Sequence, residues 1–321
     1  MKLATFEVST VVGPQRRVGV RDERGALVDV TAAYAAALET AGEADPVAVA
    51  EAHAPSEMRS FLGRGERALN AARDALEFTR SADVERGPTG GKLRFEPGED
   101  ARLLAPLPRP NSIRDFMAFE EHVENSLGED PPDVWYDLPV YYTGNPDSVV
   151  GPGEEVVWPD YSSQMDYELE VAAVVGRRGR DIPAEEADSY IAGYTVFNDF
   201  SARDTQMREM QGRLGPAKGK DFANALGPYL VTADEFDVAD AAMTAEVNGE
   251  TWSEGTPGEM HHDFADIVAH VSQSETLHPG DVLGSGTVGE GCGLELGQFL
   301  ESGDTVRLTV EGIGTLENTV R

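Results

Sequence analysis

The sequence predicts an α+β protein that is mainly β, with a β-rich sandwich or roll over residues 106–321 and a small N-terminal α+β domain over residues 1–105. Three observations carry this. Short strand-like runs recur along the chain, from Leu3–Val12 to Gly314–Val320. Helical stretches crowd into residues 31–79 and are sparse afterwards. A polar, Gly- and Pro-rich tract, Ser81–Asp100, lies between the two textures and reads as a linker. Many short strands with few helices suit two packed sheets or a rolled sheet.

The elements follow in order. Alternation in Leu3–Val12, Arg17–Val20 and Ala26–Val30 predicts a small sheet, and Thr31–Gly42, Pro46–Ala54 and Glu57–Thr79 are Ala-rich helices. Pro106, Pro108 and Pro110 lead through Ser112 into RDFMAFEEHVENSLG. A helix starting at Asp115 would put His122 two turns later on the same face. Pro131–Pro152 is loop and short strand with Trp135, Tyr136, Tyr141 and Tyr142. Met165–Val175 is a strand, on which Glu168 and Glu170 share a face. Pro183–Tyr190 is a short helix.

The densest stretch is Tyr194–Val231. Its strand Tyr194–Asp199 ends on a carboxylate facing a pocket. Ser201 is placed to cap the next helix, with Asp204 as its short-armed partner. Arg203 and Gln206 are three apart and share a helix face. Lys220 sits in a Gly-Lys-Asp turn with few neighbours to shield it. Asp263–Ser274 is an amphipathic helix, and HPGDVLGSGTVGEGCGLELG is a run of tight turns where backbone approaches a ligand. Asp304–Glu311 and Gly314–Val320 close the chain as strands.

Composition bounds the function. No apolar run approaches the roughly 18 residues of a membrane span, and the start MKLATFEVSTVVG reads as a strand, so the expected setting is the cytoplasm. The single cysteine, Cys292, excludes an internal disulfide and a Cys-rich zinc site, and is read as structural. Asp+Glu number 58 against 26 Lys+Arg, for a net charge of −32. Lysine occurs only at Lys2, Lys92, Lys218 and Lys220. An acidic, lysine-poor surface suits a salty cytoplasm, where charge repulsion is screened. It opposes nucleic acids and anionic membranes as partners.

One constellation carries chemistry. A hard divalent cation takes oxygen ligands, and Asp115, Glu168, Glu170 and Asp199 supply four carboxylates. Glu168 and Glu170 stand inside an otherwise apolar strand, between Tyr167 and a valine run. Unsatisfied charge there would be strongly destabilising, so the pair calls for a counter-ion. With the nearby guanidinium, amide and ammonium groups, the mixture suits a small, anionic, oxygen-rich ligand beside a metal.

The segments RDFMAFEEH, MDYELE, NDFSARDTQ, GPAKGKDF, LGSGTVG and LELG stand in an order and spacing similar to the fumarylacetoacetate hydrolase family, over roughly residues 106–321. The resemblance implies a mixed β-sandwich roll, a divalent metal (Mg²⁺, or Ca²⁺ or Mn²⁺), a homodimer or higher oligomer, and a small-molecule keto-acid substrate. Matching motif to motif, it implies Asp115, Glu168, Glu170 and Asp199 as metal ligands. It implies His122 as the catalytic histidine, Glu295 as the carboxylate that orients it, and Arg203, Gln206 and Lys220 as donors to an oxyanion. It further implies Tyr142 and Thr287 as substrate-binding residues. Met117 stands where the family often has tyrosine, and the chain diverges after Asn125, where a substrate-binding arginine is expected.

The expected activity is hydrolysis of a C–C bond in a β-diketo acid resembling fumarylacetoacetate or an acylpyruvate, by water that the His122–Glu295 dyad activates. Alternatives are a lyase of the same superfamily (a 2-keto-3-deoxy sugar acid dehydratase or a decarboxylase) or a hydroxydienedioate isomerase. A non-catalytic metal-binding protein would have no use for Lys220, Arg203 and Gln206 together.

Overall fold

The computed structural model describes residues 1–321. Its main strands are β1 (Lys2–Thr10), β2 (Gly13–Arg21), β3 (Leu27–Asp29), β4 (Ser112–Phe116), β5 (Tyr141–Gly144), β6 (Glu170–Val175) and β7 (Ile191–Asp199). They continue with β8 (Asn224–Thr232), β9 (Met243–Val247), β10 (Glu250–Gly255), β11 (Asp281–Gly284), β12 (Thr305–Val310) and β13 (Gly314–Val320). The helices are α1 (Val30–Thr40), α2 (Pro46–His53), α3 (Met58–Leu62), α4 (Glu66–Ser81), α5 (Glu120–Leu127), α6 (Asp133–Asp137), α7 (Arg203–Met210), α8 (Phe264–Ser272) and α9 (Gly293–Leu296). This is the sheet-rich α+β architecture the sequence predicts.

A large mixed sheet runs β3–β2–β1–β8–β7–β6–β11–β4–β5, and a second sheet runs β10–β9–β12–β13. All neighbours along the large sheet are antiparallel except β11 and β4, which are parallel. Side-chain parity assigns the two faces. Val171, Ala173, Tyr194, Val196, Ala225 and Val231 point to the second sheet and pack with Met243, Leu308 and Leu316. Ala172, Val174, Phe197, Leu226, Leu230 and Val282 point the other way and pack on Ala33, Phe61, Ala68 and Ala72 of the N-terminal helices. A strand covered on both faces reads as a continuous apolar run, which is why VAAVV shows no alternation.

The N-terminal residues therefore share a sheet and a core with the rest. β1 pairs with β8 across the 105/106 division, at Lys2↔Val231 and Leu3↔Leu230. The tract Ser81–Asp100 contributes Arg94–Phe95 as a short strand beside β3.

Three local expectations are corrected. Asp115 lies on strand β4, not on a helix, because Ile113–Asp115 complete a parallel ladder with Val282–Gly284. The helix begins at Glu120, so His122 is in its first turn. Ser201 does not cap α7: its hydroxyl donates to the Asp199 carbonyl, and Ala202 occupies the cap position without a side-chain bond. Lys220 is not open to solvent but buried at 3% exposure.

The −32 charge on this compact core predicts a salt response. Raising KCl from 0.1 M to 2 M shortens the Debye length from about 10 Å to below about 3 Å, which screens the self-repulsion. The melting temperature is expected to rise by several degrees or more over that range. A flat or falling melting curve would refute the halophilic reading of the surface.

Candidate functional site

Strand order puts three acidic residues at one place. Asp115 on β4, Glu170 opening β6 and Asp199 closing β7 all share parity with the residues on the helix-covered face: Ile113, Ala172 and Phe197. Gly284 of β11 lies between them, and a Cβ there would meet the Asp115 Oδ1 at 2.3 Å. Only glycine lets the carboxylates converge across that strand. The next turn holds Gly286 at φ +76°, with its N–H donating to Asp115 Oδ1 (3.3 Å) and Glu170 Oε2 (3.2 Å). Glu168 lies just before β6, bridged through its backbone to Cys292, with its N–H on the Asn198 side-chain oxygen (3.0 Å).

The result is a tetrad. Asp115, Glu168, Glu170 and Asp199 are all buried, and each offers an oxygen within 4.8 Å of the others. Two buried cations lie against it. Lys220 bridges Glu168 and Asp199 (2.5 Å to Asp199), and Arg203 pairs with Glu168 (2.8 Å) and Asp166 (2.7 Å). The Tyr142 hydroxyl donates to Asp199 Oδ2 (2.5 Å).

Electrostatics shows that the cluster lacks positive charge. Burial pushes the Asp115 carboxyl up to about 6, against the pull of Lys220. Burial also drives Glu170 well above the usual carboxylate range, reinforced by Asp115, Glu168 and Asp199. Asp199 is likewise pushed well up by burial, although Lys220 opposes this. Burial acts on Glu168 as well, but Lys220 and Arg203 outweigh it and hold that carboxyl far below its ordinary value. With Asp166, five buried carboxylates face two buried cations. Glu170 Oε1 and Asp199 Oδ1 are buried without any hydrogen-bond partner. Two orphaned hard oxygens in a surplus of negative charge fit a divalent cation held by the tetrad.

His122 lies beside the tetrad in one pocket. The cavity is about 370 Å³, and Asp115, Glu168, Glu170, Arg203, Lys220 and His122 line it, with Asp199 behind Lys220 and Tyr142. His122 is 6% exposed, and its Nδ1 bonds Glu295 Oε2 at 2.9 Å. Glu295 sits in the single turn of α9 and also accepts from Asn125 Nδ2 (3.0 Å), Cys292 Sγ (3.2 Å) and Glu290 N–H (3.0 Å). Burial opposes its charge, but these donors, His122 first among them, hold the carboxyl below its ordinary value. An ionised Glu295 keeps the proton on His122 Nδ1 and leaves Nε2 as the basic nitrogen.

The other residues singled out from the sequence are placed as follows. Gln206 lines the pocket and accepts from Arg203 through its side-chain oxygen (3.0 Å). Thr287 is 2% exposed and its hydroxyl is used by the Leu169 backbone, accepting from N–H (3.1 Å) and donating to the carbonyl (3.3 Å). Cys292 is buried, with burial pushing its thiol far up.

Sequence reading missed two residues. Asp166 is fully buried and receives Arg203 Nε together with the N–H groups of Gly293 (2.7 Å) and Leu294 (3.0 Å), so one carboxylate holds both Arg203 and the turn carrying Glu295. Its signal was present: Asp166, Glu168 and Glu170 share a parity within MDYELE. Asn125 was visible too, being three residues after His122 and so on the same helix face.

The family model described as fumarylacetoacetate (FAA) hydrolase C-terminal matches residues 111–321. Human mitochondrial oxaloacetate tautomerase FAHD2A is 34% identical over 269 residues, covering 83% of this chain and 80% of its own. Oxaloacetate tautomerase YisK of Bacillus subtilis is 31% identical over 272 residues, covering 83% and 87%. The solved fumarylacetoacetate hydrolase of psychrophilic Exiguobacterium antarcticum has a TM-score of 0.71 at 27% identity, covering 99% of each chain.

Proposed function

We propose, for a chain that belongs to the fumarylacetoacetate hydrolase family, that this enzyme is a metal-dependent keto–enol tautomerase of a 2-oxo acid. The observation that carries the reading is the placement of His122, fixed on Glu295 at 2.9 Å, in the pocket lined by Asp115, Glu168 and Glu170 of the carboxylate tetrad. Relatives above 30% identity bearing the name oxaloacetate tautomerase support it.

The chemistry needs one proton carrier and a place for negative charge. His122 Nε2 takes a proton from the carbon next to the keto group, and the freed electron pair moves onto the carbonyl oxygen as an enolate. The enolate oxygen then takes up a proton from water while the His122 imidazolium releases its own to water, so no atom is gained or lost. In the opposite direction the imidazolium returns its proton to carbon. Lys220 Nζ has three donors, of which Glu168 and Asp199 use two, leaving one for a substrate oxygen. The Gln206 amide nitrogen offers another. A divalent cation held by Asp115, Glu168, Glu170 and Asp199 would supply Lewis-acid stabilisation of the charge on that oxygen. Tyr142 keeps Asp199 oriented.

A second reading, C–C hydrolysis of a 2,4-dioxo acid, is favoured by the ionised state of Glu295. Glu295 occupies Nδ1, which leaves Nε2 free to take a proton from water. Hydroxide then adds to the outer carbonyl, the C–C bond breaks, and the imidazolium protonates the departing enolate carbon. The family reading also carries a homodimer and Mg²⁺, Ca²⁺ or Mn²⁺ as the ion, and the sequence reading a cytoplasmic setting.

The test is proton nuclear magnetic resonance in D₂O with Mg²⁺ at high salt. Enzyme-dependent deuterium uptake at C3 of 2-oxobutyrate, lost on chelation, supports proton transfer at carbon. Release of pyruvate from an acylpyruvate establishes the hydrolytic reading instead. Neither uptake nor cleavage across both substrate sets would overturn both.

A further inference from the structure

Resting on that reading, we propose that the outer half of the pocket is a hydrocarbon subsite, so that the preferred 2-oxo acid ends in an apolar tail and not in a second carboxylate. Four large apolar side chains line the cavity and are still open to solvent: Met117 at 38%, Leu127 at 53%, Met207 at 45% and Met210 at 50%. They come from three elements, the turn after β4, the end of α5, and α7. Met207 and Met210 are three residues apart on α7, so they share one face. Val123, next to His122 on α5, and Leu294 also line the cavity.

Charge accounting points the same way. The only lysine and arginine side chains lining the cavity are Lys220 and Arg203. Both are already paired with carboxylates of the polar end. A second substrate carboxylate would enter the apolar wall with no ammonium or guanidinium to meet it, beside a cluster already rich in negative charge. Desolvating it there would be strongly unfavourable. A hydrocarbon chain faces no such cost, and methionine side chains adapt to varied apolar shapes. Continuity with the tetrad fixes the orientation, with the 2-oxo carboxylate inward and the tail past α7. Oxaloacetate, with four carbons and a second carboxylate, would leave this wall unused.

The experiment measures binding to the Mg²⁺-loaded full chain by calorimetry, with straight-chain 2-oxo acids from pyruvate to 2-oxooctanoate against 2-oxoglutarate and 2-oxoadipate. Affinity is expected to rise about two- to fourfold per methylene, as burial of each CH₂ requires. Each dicarboxylate is expected to bind at least tenfold more weakly than the monocarboxylate of equal length. Met210→Lys, an exposed change that spares the core, is expected to reverse that preference. Affinity flat with chain length, or tighter for the dicarboxylates, overturns the proposal. So does an unchanged ligand order in Met210→Lys together with a shift from dimer to monomer, which would give these side chains to a second copy. Failure of pyruvate itself to bind would defeat the reading of the whole site, an outcome distinct from loss of the length dependence alone.

Discussion

Changing His122 to Asn is expected to lower turnover by about 10²–10⁴-fold, the usual worth of a positioned acid–base group, while ligand affinity stays near wild type. Asparagine keeps a donor for Glu295 but has no nitrogen that can carry a proton near neutral pH. The imidazole sits in the first turn of α5, and its neighbour Val123 holds the packing at 1% exposure, so the helix should survive the change. Glu295→Gln tests the partner. It removes the charge that keeps the proton on Nδ1, and the effect on turnover should be smaller. Because the two side chains act as a unit, the double variant should be no slower than His122→Asn alone, as measured by single-turnover kinetics. Additive losses would show that Glu295 acts elsewhere.

Removing the metal is expected to have the second largest effect, and its size depends on pH. Without a cation, the folded-state carboxyls of Asp115, Glu170 and Asp199 lie above their ordinary values, Asp115 at about 6. A raised carboxyl favours the folded state below its unfolded value, about 4, and that advantage is lost as pH rises through the folded value. The metal-free protein should therefore melt higher near pH 5 than near pH 7.5. A divalent cation competes with the same protons, so its stabilising effect should be largest at pH 7.5 and shrink toward pH 5. Glu170→Gln follows from the same physics. Taking one charge out of an unneutralised cluster should raise the melting temperature of the metal-free form by roughly 2 °C or more while abolishing the gain on adding Mg²⁺. A metal-free protein that is steadily more stable as pH rises would contradict the charge surplus.

Much of this site can be read along the chain, for a physical reason. Charged residues inside apolar strands are costly, so Glu168 and Glu170 announce themselves, and Asp199 stands where an apolar strand stops. What sequence hides is mostly three-dimensional sharing. The spacing of Phe116 and Phe119 predicts a helix from Asp115; β11, far along the chain, supplies the parallel ladder that makes Asp115 a strand residue. The small, polar turn around Lys220 predicts an exposed ammonium, yet the folded chain buries it against two distant carboxylates. The role of Asp166 is silent in the sequence because its partners, Arg203, Gly293 and Leu294, are brought to it only by folding. The two-sided burial of the central sheet was equally hidden, since VAAVV does not say that Ala172 and Val174 face the N-terminal helices.

The central claim is that four acidic side chains from separate segments grip one divalent cation beside His122. Titrating the metal-free chain with Mn²⁺ and counting free ion by electron paramagnetic resonance tests it most directly. One Mn²⁺ bound per chain in the wild type, and none at the same concentrations in Glu170→Gln or Asp199→Asn, is the predicted result. A wild-type chain that leaves all the Mn²⁺ free, or variants that bind it equally well, would contradict the account.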